Sequence, residues 1–567
     1  MALLPWLAAV VSGLLLVLVS PPIGWDWLHW FTFVPLLCVL DTQEGPRRPG
    51  RGRAVRVSLG VALYLLLASI FAVVGNVHVI GVMSVVVALG IALSRDGLDR
   101  TRNFRLGWVS GISATFGLFF WLLDTITTFS NIPFPLAVVI LLIFSLAFSI
   151  PYGVAIGLVG PVRRRFGDAW VFLFPAVWVA SEWIAPSLFP YFQGVGQYRN
   201  PYTWQSASVF GATFLSWLVL ATNCAVASLI DARRTGRSLP WKPAVVIAAL
   251  WVGNLGFGVW RHDAVEAQMA AAPRVRISLL QQGVTMLDRI QDRGKKVLDS
   301  WIALTAKVAD QSPAMVIWPE GSIGYNPTDA RVEPILADLA REGGFHLLLG
   351  GGTTEPDPLD ARKRVHWNSA YFFSNTGAIT GRYDKMVPLP FGEYLPPPFN
   401  LLDELISGVG HFQPGSRATV FELATERGPV HFTTPICYEA ILEHQMRRLT
   451  PDDVDLIVNI TNDGWFGDTS APHQHAMLSA MHAMELGRPM VRIAYTGISM
   501  LITPDGAITH AHPFGTEAAE VLDVPLVALD TPYRTWGAFF PWALTLLGLG
   551  VTTLALRRGV TSDAPTA

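Results

Sequence analysis

Charge and cysteine are both scarce in this sequence. Only 15% of its 567 residues are charged, 51% are hydrophobic, and the formal net charge is −2. That balance excludes an ordinary soluble enzyme and requires a chain at least partly embedded in a membrane. No basic stripe interleaved with aromatics occurs, which sets a nucleic-acid partner aside. Three cysteines cannot build a disulfide framework. Cys38 and Cys224 fall inside long apolar runs, where a thiol behaves as a small hydrophobe, and Cys437 alone stands in polar sequence, in "HFTTPICYEA". Taken singly, it reads equally as a buried hydrophobe or as a nucleophile.

Apolar runs are what the sequence has in abundance. Eight of them, at roughly 3–20, 57–75, 77–94, 107–124, 136–160, 208–230, 243–260 and 536–556, suit a hydrocarbon core of ~30 Å crossed by ~20 residues. Two shorter segments, near 27–40 and 170–186, carry Pro or Glu and read as spans or as re-entrant pieces. If both cross, the basic clusters at Arg47–Arg56, Arg95–Arg105, Arg163–Arg165, Arg233–Lys242 and Arg557–Arg558 all fall on one side, and the opposite connections hold only Arg199. Basic loops stay cytoplasmic, so ten spans with both termini inside are expected. The first run lacks a basic n-region and a small-residue cleavage site, which reads as an uncleaved helix. Trp25, Trp27, Trp30, Trp536 and Trp542 fit interfacial anchors or ordinary lipid-facing aromatics.

Three regions follow: a bundle of about nine spans over 1–260, an extracytoplasmic domain with short linkers over 261–535, and a last span with a cytoplasmic tail over 536–567. In the middle region, strand-like runs such as "AMVIWPE", "SAYFFS", "VHFTTPIC" and "DLIVNIT" alternate with helical stretches near 291–309, 329–342 and 471–487. That order predicts an α/β sandwich on a largely parallel or mixed sheet. Functional groups in such sheets sit past the carboxyl ends of strands, and Glu320, Lys385 and Cys437 each follow one. A lone glutamate or lysine in a loop is ordinarily just solvated. A thiol, however, needs a base or a cation beside it to react at neutral pH, and these two residues supply both. His473 and His475 have a spacing that invites a metal, but no third ligand lies at a convincing spacing, so they read as helix-start histidines and no metal or other cofactor is expected.

Four ordered motifs, "IWPEGSIG", "GRYDKMVPLPFGEYLP", "TTPICYEA" and "NITNDGWFGDTSAPHQHAMLSAMHAMELGRPMVR", resemble the nitrilase (carbon-nitrogen hydrolase) superfamily. With the flanking spans, the chain resembles its membrane-bound branch, the apolipoprotein N-acyltransferases. The resemblance implies a polytopic α-helical membrane bundle carrying an extracytoplasmic αββα sandwich in a bacterial inner membrane. It implies a Glu-Lys-Cys triad: Cys437 attacks a phospholipid ester and holds the acyl chain as a thioester, Glu320 is the general base, and Lys385 with the N–H after Cys437 stabilises the oxyanion. The acceptor it implies is the N-terminal amine of a diacylglyceryl-cysteine on an apolipoprotein, in a ping-pong reaction, with a monomeric enzyme expected.

Glu393 matches a further glutamate that orients the lysine or shares the proton work, or else only caps a loop. Tyr438 and Glu439 match positions that shape the pocket, and Trp465 matches one in the loop that closes it, or is plain core. Asn368 fits the pattern too, though a buried Asn bonded to backbone explains it equally well. Two departures stand out. Ile290 and Gln291 occupy a place where relatives often have tryptophan, and the pair at 57–94 exceeds the usual eight spans.

Segment 388–415 carries Phe391, Phe399, Leu401, Leu402, Leu405 and Ile406 among few charges, which predicts a lipid-facing arm that gates the site, or else a long surface loop. The triad alone also serves amide hydrolysis, so a membrane-tethered amidohydrolase is the competing reading. A transporter is disfavoured, because Asp124 and Glu182 lie near predicted span boundaries and charge within the spans is scarce.

Overall fold

In a computed structural model of the chain, the described residues are 3–40, 99–130, 132–185, 187–284, 297–357, 360, 362–397, 400 and 409–557. The expected hairpin at 57–94, the departure at Ile290 and Gln291, and the arm residues Phe399, Leu401, Leu402, Leu405 and Ile406 lie outside them.

The apolar half is built from helices α1 (Leu4–Val19), α2 (Asp99–Leu118), α3 (Trp121–Phe129), α4 (Phe134–Phe148), α5 (Ile150–Phe166), α6 (Trp170–Ile184), α7 (Ala212–Thr235) and α8 (Trp241–Ala271). Leu16, Leu106, Ile156, Phe174 and Leu220 meet in its core. Val245, Val252 and Val259 of α8 are exposed, and a helix that is apolar on its outer side as well is suited to lipid rather than water. Helical stretches over Phe134–Ile184, Ala212–Thr235, Trp241–Ala271 and Phe539–Leu556 are long and apolar enough to cross a membrane. Arg102–Leu118 with Trp121–Phe129 makes a fifth if the pair, bent by 52°, is one span. The first of these stretches is itself a hairpin: Gly167 turns the chain at φ +54, and Tyr152 of α5 meets Trp178 of α6 with ring centroids 5.0 Å apart.

The segment near 27–40 is not a continuous helix. It breaks into a 3-10 helix (Asp26–Phe31) and a single helical turn (Val34–Leu37). Neighbouring side chains satisfy the backbone that this break frees: Asn223 Oδ1 accepts from the Phe33 N–H at 2.8 Å and Ser12 Oγ from the Leu36 N–H at 3.1 Å. Irregular backbone at membrane depth requires such partners.

The second half is a four-layer sandwich. One sheet has the order β12-β1-β2-β3-β4-β5 and the other β11-β10-β9-β8-β7-β6. The first comprises β1 (Arg274–Gln281), β2 (Met315–Trp318), β3 (His346–Pro356), β4 (Arg364–Phe373), β5 (Ile379–Asp384) and β12 (Ala518–Pro525). The second comprises β6 (Val420–Thr425), β7 (Gly428–Thr433), β8 (Leu456–Thr461), β9 (Met490–Ala494), β10 (Ser499–Ile502) and β11 (Ile508–His512). Strands β1, β2 and β3 run parallel, as do β7, β8 and β9, and antiparallel strands flank both sets.

Both faces of these central strands are covered, which is why they read as unbroken apolar runs. In β2, Met315 and Ile317 point into the core between the sheets, while Val316 and Trp318 face helices α9 (Val297–Ala309) and α10 (Glu333–Gly343). Phe372 meets Phe432 across the sandwich at 5.1 Å.

The other sheet is covered by α11 (Glu443–Leu449) and α12 (Ser470–Leu486). Met477, Met481 and Met484 of α12 share one apolar cluster with Met490 and Met500 of the sheet and with Val195, Trp204 and Leu215 of the bundle. This helix is therefore the seam between the two halves, and the N–H of Ala212, where α7 starts, donates to Glu485 Oε1 at 3.1 Å. The chain returns to the bundle through α13 (Phe539–Leu556). Arg163–Arg165 and Arg233–Arg234 lie in the last turns of α5 and α7, at the end of α7 remote from this seam.

Candidate functional site

The sandwich brings the carboxyl ends of β2, β5 and β7 to one place. Glu320, two residues past β2, sits tight on the neighbouring strand: a Cβ at Gly350 would lie 2.6 Å from the Glu320 Cα, so glycine is required there. Asn368 Nδ2 donates to both Glu320 Oε1 and Glu393 Oε1, each at 2.7 Å, and the Asn462 N–H donates to Glu320 Oε2 at 2.8 Å. Lys385 is 1% exposed; its Nζ lies 2.6 Å from Glu393 Oε2 and 3.4 Å from Glu320 Oε1. Burial works against the ammonium, but the Glu393 and Glu320 carboxylates outweigh it and hold the lysine well above its ordinary value. The Leu389 N–H donates to Glu393 Oε2 at 2.6 Å, which fixes this glutamate in place.

Cys437 follows β7 and opens a 3-10 turn, Cys437–Ile441. Its φ of +51 is unusual for a residue with a side chain and costs about 1–3 kcal/mol. Burial, and then the Glu320 carboxylate, push the thiol up against the pull of Lys385. The resting nucleophile is therefore a thiol rather than a thiolate, a state in which attack requires proton removal by a neighbouring base.

Glu439 does not line the cavity beside the thiol. It is fully buried and ties together the loops that carry Lys385 and Cys437: Oε1 accepts from the Tyr383 hydroxyl and the Met386 N–H, both at 2.7 Å, and Oε2 from the Ile436 N–H at 2.9 Å. Tyr438 donates its hydroxyl to the Leu188 carbonyl oxygen at 2.5 Å, linking the nucleophile loop to the bundle. Trp465 is half-exposed, not core, and its ring packs on Phe129 of α3 at 4.9 Å. Phe391 is exposed as well, with φ +63.

A narrow pocket opens beside Cys437. Leu389, Tyr438, Ile441, Phe466, Ala471 and Leu478 come from the sandwich, and Trp121 and Phe189 from the bundle. Its walls are almost wholly apolar. Gln474 pins the bundle wall: its Nε2 donates to the Leu118 carbonyl oxygen at 2.9 Å, where the bent pair α2 and α3 breaks, and its Oε1 accepts from Trp121 Nε1 at 3.3 Å.

The fold brings together Glu320, Lys385, Glu393, Asn368, Cys437 and Tyr438 of the expected residues; the sequence did not point to Asn462, Asp463, Arg492, Trp121 or Phe189, and His475 was read only as a helix-start histidine. Asp463 pairs with Arg492 at 2.8 Å and with His475 at 2.9 Å, all three buried. The only hint of them in the sequence was polarity inside otherwise apolar elements. Among the described residues no group of three or more His, Cys, Asp or Glu is arranged to hold a metal ion.

Residues 281–531 match the carbon-nitrogen hydrolase family, and residues 65–225 match the apolipoprotein N-acyltransferase N-terminal domain. The apolipoprotein N-acyltransferase of Geobacter metallireducens is 30% identical over 81% of this chain and 88% of its own length. That of Sinorhizobium medicae is 28% identical over 71% of this chain and 76% of its own. Among solved structures, an amidase from Nesterenkonia sp. aligns with 45% of this chain and 91% of its own, at 19% identity and a TM-score of 0.34.

Proposed function

We infer the reaction from one premise: the chain belongs to the apolipoprotein N-acyltransferase family, within the nitrilase superfamily, and is a membrane protein. Its activity is N-acylation of lipoproteins. A membrane phospholipid is the acyl donor and Cys437 the acyl carrier.

In the first half-reaction Sγ attacks the ester carbonyl carbon while Glu320 takes the thiol proton. The oxyanion is met by Lys385 and the Tyr438 N–H. Collapse breaks the ester C–O bond, the departing lysophospholipid oxygen takes the proton back from Glu320, and a thioester remains. In the second half-reaction the free amine of a diacylglyceryl-cysteine attacks the thioester carbonyl. Glu320 accepts the amine proton and returns it to the leaving sulfur, forming the amide. An α-amine titrates near pH 7.7–8.0, so a useful fraction is neutral and nucleophilic at physiological pH. Two successive transfers through one covalent intermediate make the kinetics ping-pong.

The single observation that supports this reading best is the apolar cavity beside Cys437, walled jointly by the sandwich and the bundle. A soluble amide needs no such wall, whereas an acyl chain drawn from the bilayer does. The topology follows the same logic: 1–260 and 536–567 form the bundle with cytoplasmic termini, and 261–535 is the extracytoplasmic domain, with the Arg163–Arg165 and Arg233–Arg234 clusters at the far end. In this arrangement the exposed Phe391 faces the lipid surface.

Intact-mass measurement after incubation with one defined phospholipid tests the reading. A gain of one acyl group on Cys437, discharged by a diacylglyceryl peptide and absent in Cys437→Ala, is the expected result. No gain, or discharge to water alone, overturns it.

A further inference from the structure

His475 has no role in the reaction just described, yet it is buried directly beneath the nucleophile. Its Nδ1 lies 2.9 Å from Asp463 Oδ1, and its Nε2 lies 3.1 Å from the Cys437 carbonyl oxygen. A peptide carbonyl has no proton to give. Asp463 has none either: burial disfavours its charge, but Arg492 and His475 overcome that and hold the carboxyl well below its ordinary range. Two acceptors facing two ring nitrogens require two N–H donors, and only the imidazolium has both. Burial and then the Arg492 guanidinium pull the imidazole below its ordinary value against the Asp463 carboxylate, so the second proton rests on the two acceptors that face the ring and not on the surrounding charge.

Arg492 is in turn anchored, with NH1 donating to Asn459 Oδ1 at 2.6 Å while Asn459 Nδ2 donates to the Pro435 carbonyl oxygen at 2.9 Å. The chain of contacts therefore starts and ends on the nucleophile loop. The carbonyl that His475 holds and the Tyr438 N–H belong to the same peptide unit. A charged donor on the oxygen polarises the amide and makes its N–H a stronger donor.

We propose that His475 is a positioning residue: as an imidazolium braced by Asp463 and Arg492, it holds Cys437 in its left-handed conformation and strengthens the Tyr438 N–H toward the oxyanion. The proposal rests on Cys437 being the acyl carrier. The charged groups that bear on the imidazole are Asp463 and Arg492, and those that bear on the thiol are Glu320, Lys385 and Asp463.

Two variants of the full-length protein separate this role from plain packing. In His475→Gln the amide nitrogen takes the place of Nε2 and still donates to the carbonyl, without the charge. In His475→Asn the amide reaches only toward Asp463. At unchanged thermal midpoint, thioester formation from phospholipid should fall about tenfold in the first, where the donor is weakened and not lost, and about a hundredfold in the second, at the lower edge of what loss of one oxyanion donor costs. KM for the phospholipid should stay constant. Equal rates in the two variants, or wild-type rates in both, overturn the proposal.

A reading that needs no variant comes from solid-state NMR of the unaltered protein in bilayers, with ring-15N histidine and carbonyl-13C cysteine. Of the three cysteines, only Cys437 has a histidine on its carbonyl among the described contacts. A doubly protonated ring correlated with a cysteine carbonyl at pH 8 supports the proposal, and a neutral ring at that contact refutes it. This measurement does not depend on acyl transfer, so it stays readable even if the acyl-transfer reading fails.

Discussion

Replacing Glu439 by glutamine tests whether one carboxylate holds the two catalytic loops together. Its Oε1 accepts from Tyr383, the Met386 and Val387 N–H groups and Gln445 Nε2, and its Oε2 from the Ile436 N–H, at 2.7 to 3.2 Å. These partners are all donors, so an amide must turn its own NH2 toward at least one of them. The cheaper orientation faces Ile436 and leaves that N–H unsatisfied, at about 1–3 kcal/mol. The four remaining bonds lose their charge assistance, about 1 kcal/mol each. Against this, the amide escapes the cost of a buried charge, the effect that lifts the Glu439 carboxyl above its ordinary range and that is worth a few kcal/mol. A net local loss of about 2 kcal/mol remains, which is roughly a thirtyfold rise in the exchange of the amides concerned. Hydrogen exchange read by mass spectrometry on peptides covering 386–387 and 436 measures it, and thioester formation on Cys437 should slow in parallel. Tyr383→Phe, which removes one donor and leaves no acceptor unmet by the others, should change exchange far less. Unchanged exchange at both loops in Glu439→Gln would refute the clamp.

Alkylation of Cys437 by iodoacetamide gives a pH test. Burial and the Glu320 carboxylate raise the thiol, so its alkylation should lag behind that of a free thiol at pH 8 and still climb above pH 9. Glu320→Gln removes a negative neighbour, so the profile should move to lower pH even as acyl transfer is lost; a move to higher pH contradicts the assigned geometry. Ala471→Phe adds a ring to the cavity wall and should shift the preferred donor toward shorter acyl chains, at about 1–3 kcal/mol of overpacking, as read with phospholipids of graded chain length. An unchanged preference would place the acyl chain elsewhere.

Glu320, Lys385 and Cys437 were legible in the sequence because each follows a strand-like run, although β2, β5 and β7 are not neighbours and only the packing of the two sheets brings their carboxyl ends together. The alternation of strands and helices gave the sandwich for the same reason. His475, Asp463 and Arg492 were not legible, because their partnership joins a helix, a turn and a strand, and nothing local marks a buried ion pair from a solvated one. The segment near 27–40 read as a span or as a re-entrant piece, and its broken form was not legible because Asn223 and Ser12, distant in sequence, supply the bonds that let the backbone break. Trp121 and Phe189 could not be told from lipid-facing aromatics until the bundle was seen to meet the sandwich.

The seam along α12 has a consequence for the fate of a thioester. One side of the wall around Cys437 belongs to Trp121 and Phe189, which the sandwich cannot supply. Detached from its helices, the same chemistry would lie open to bulk water, the commonest competing nucleophile at about 55 M by its own density. In the proposed acyl-transfer reaction the bundle thus acts as a raincoat as well as an anchor, and the partition between amine and water rests in part on Trp121 and Phe189.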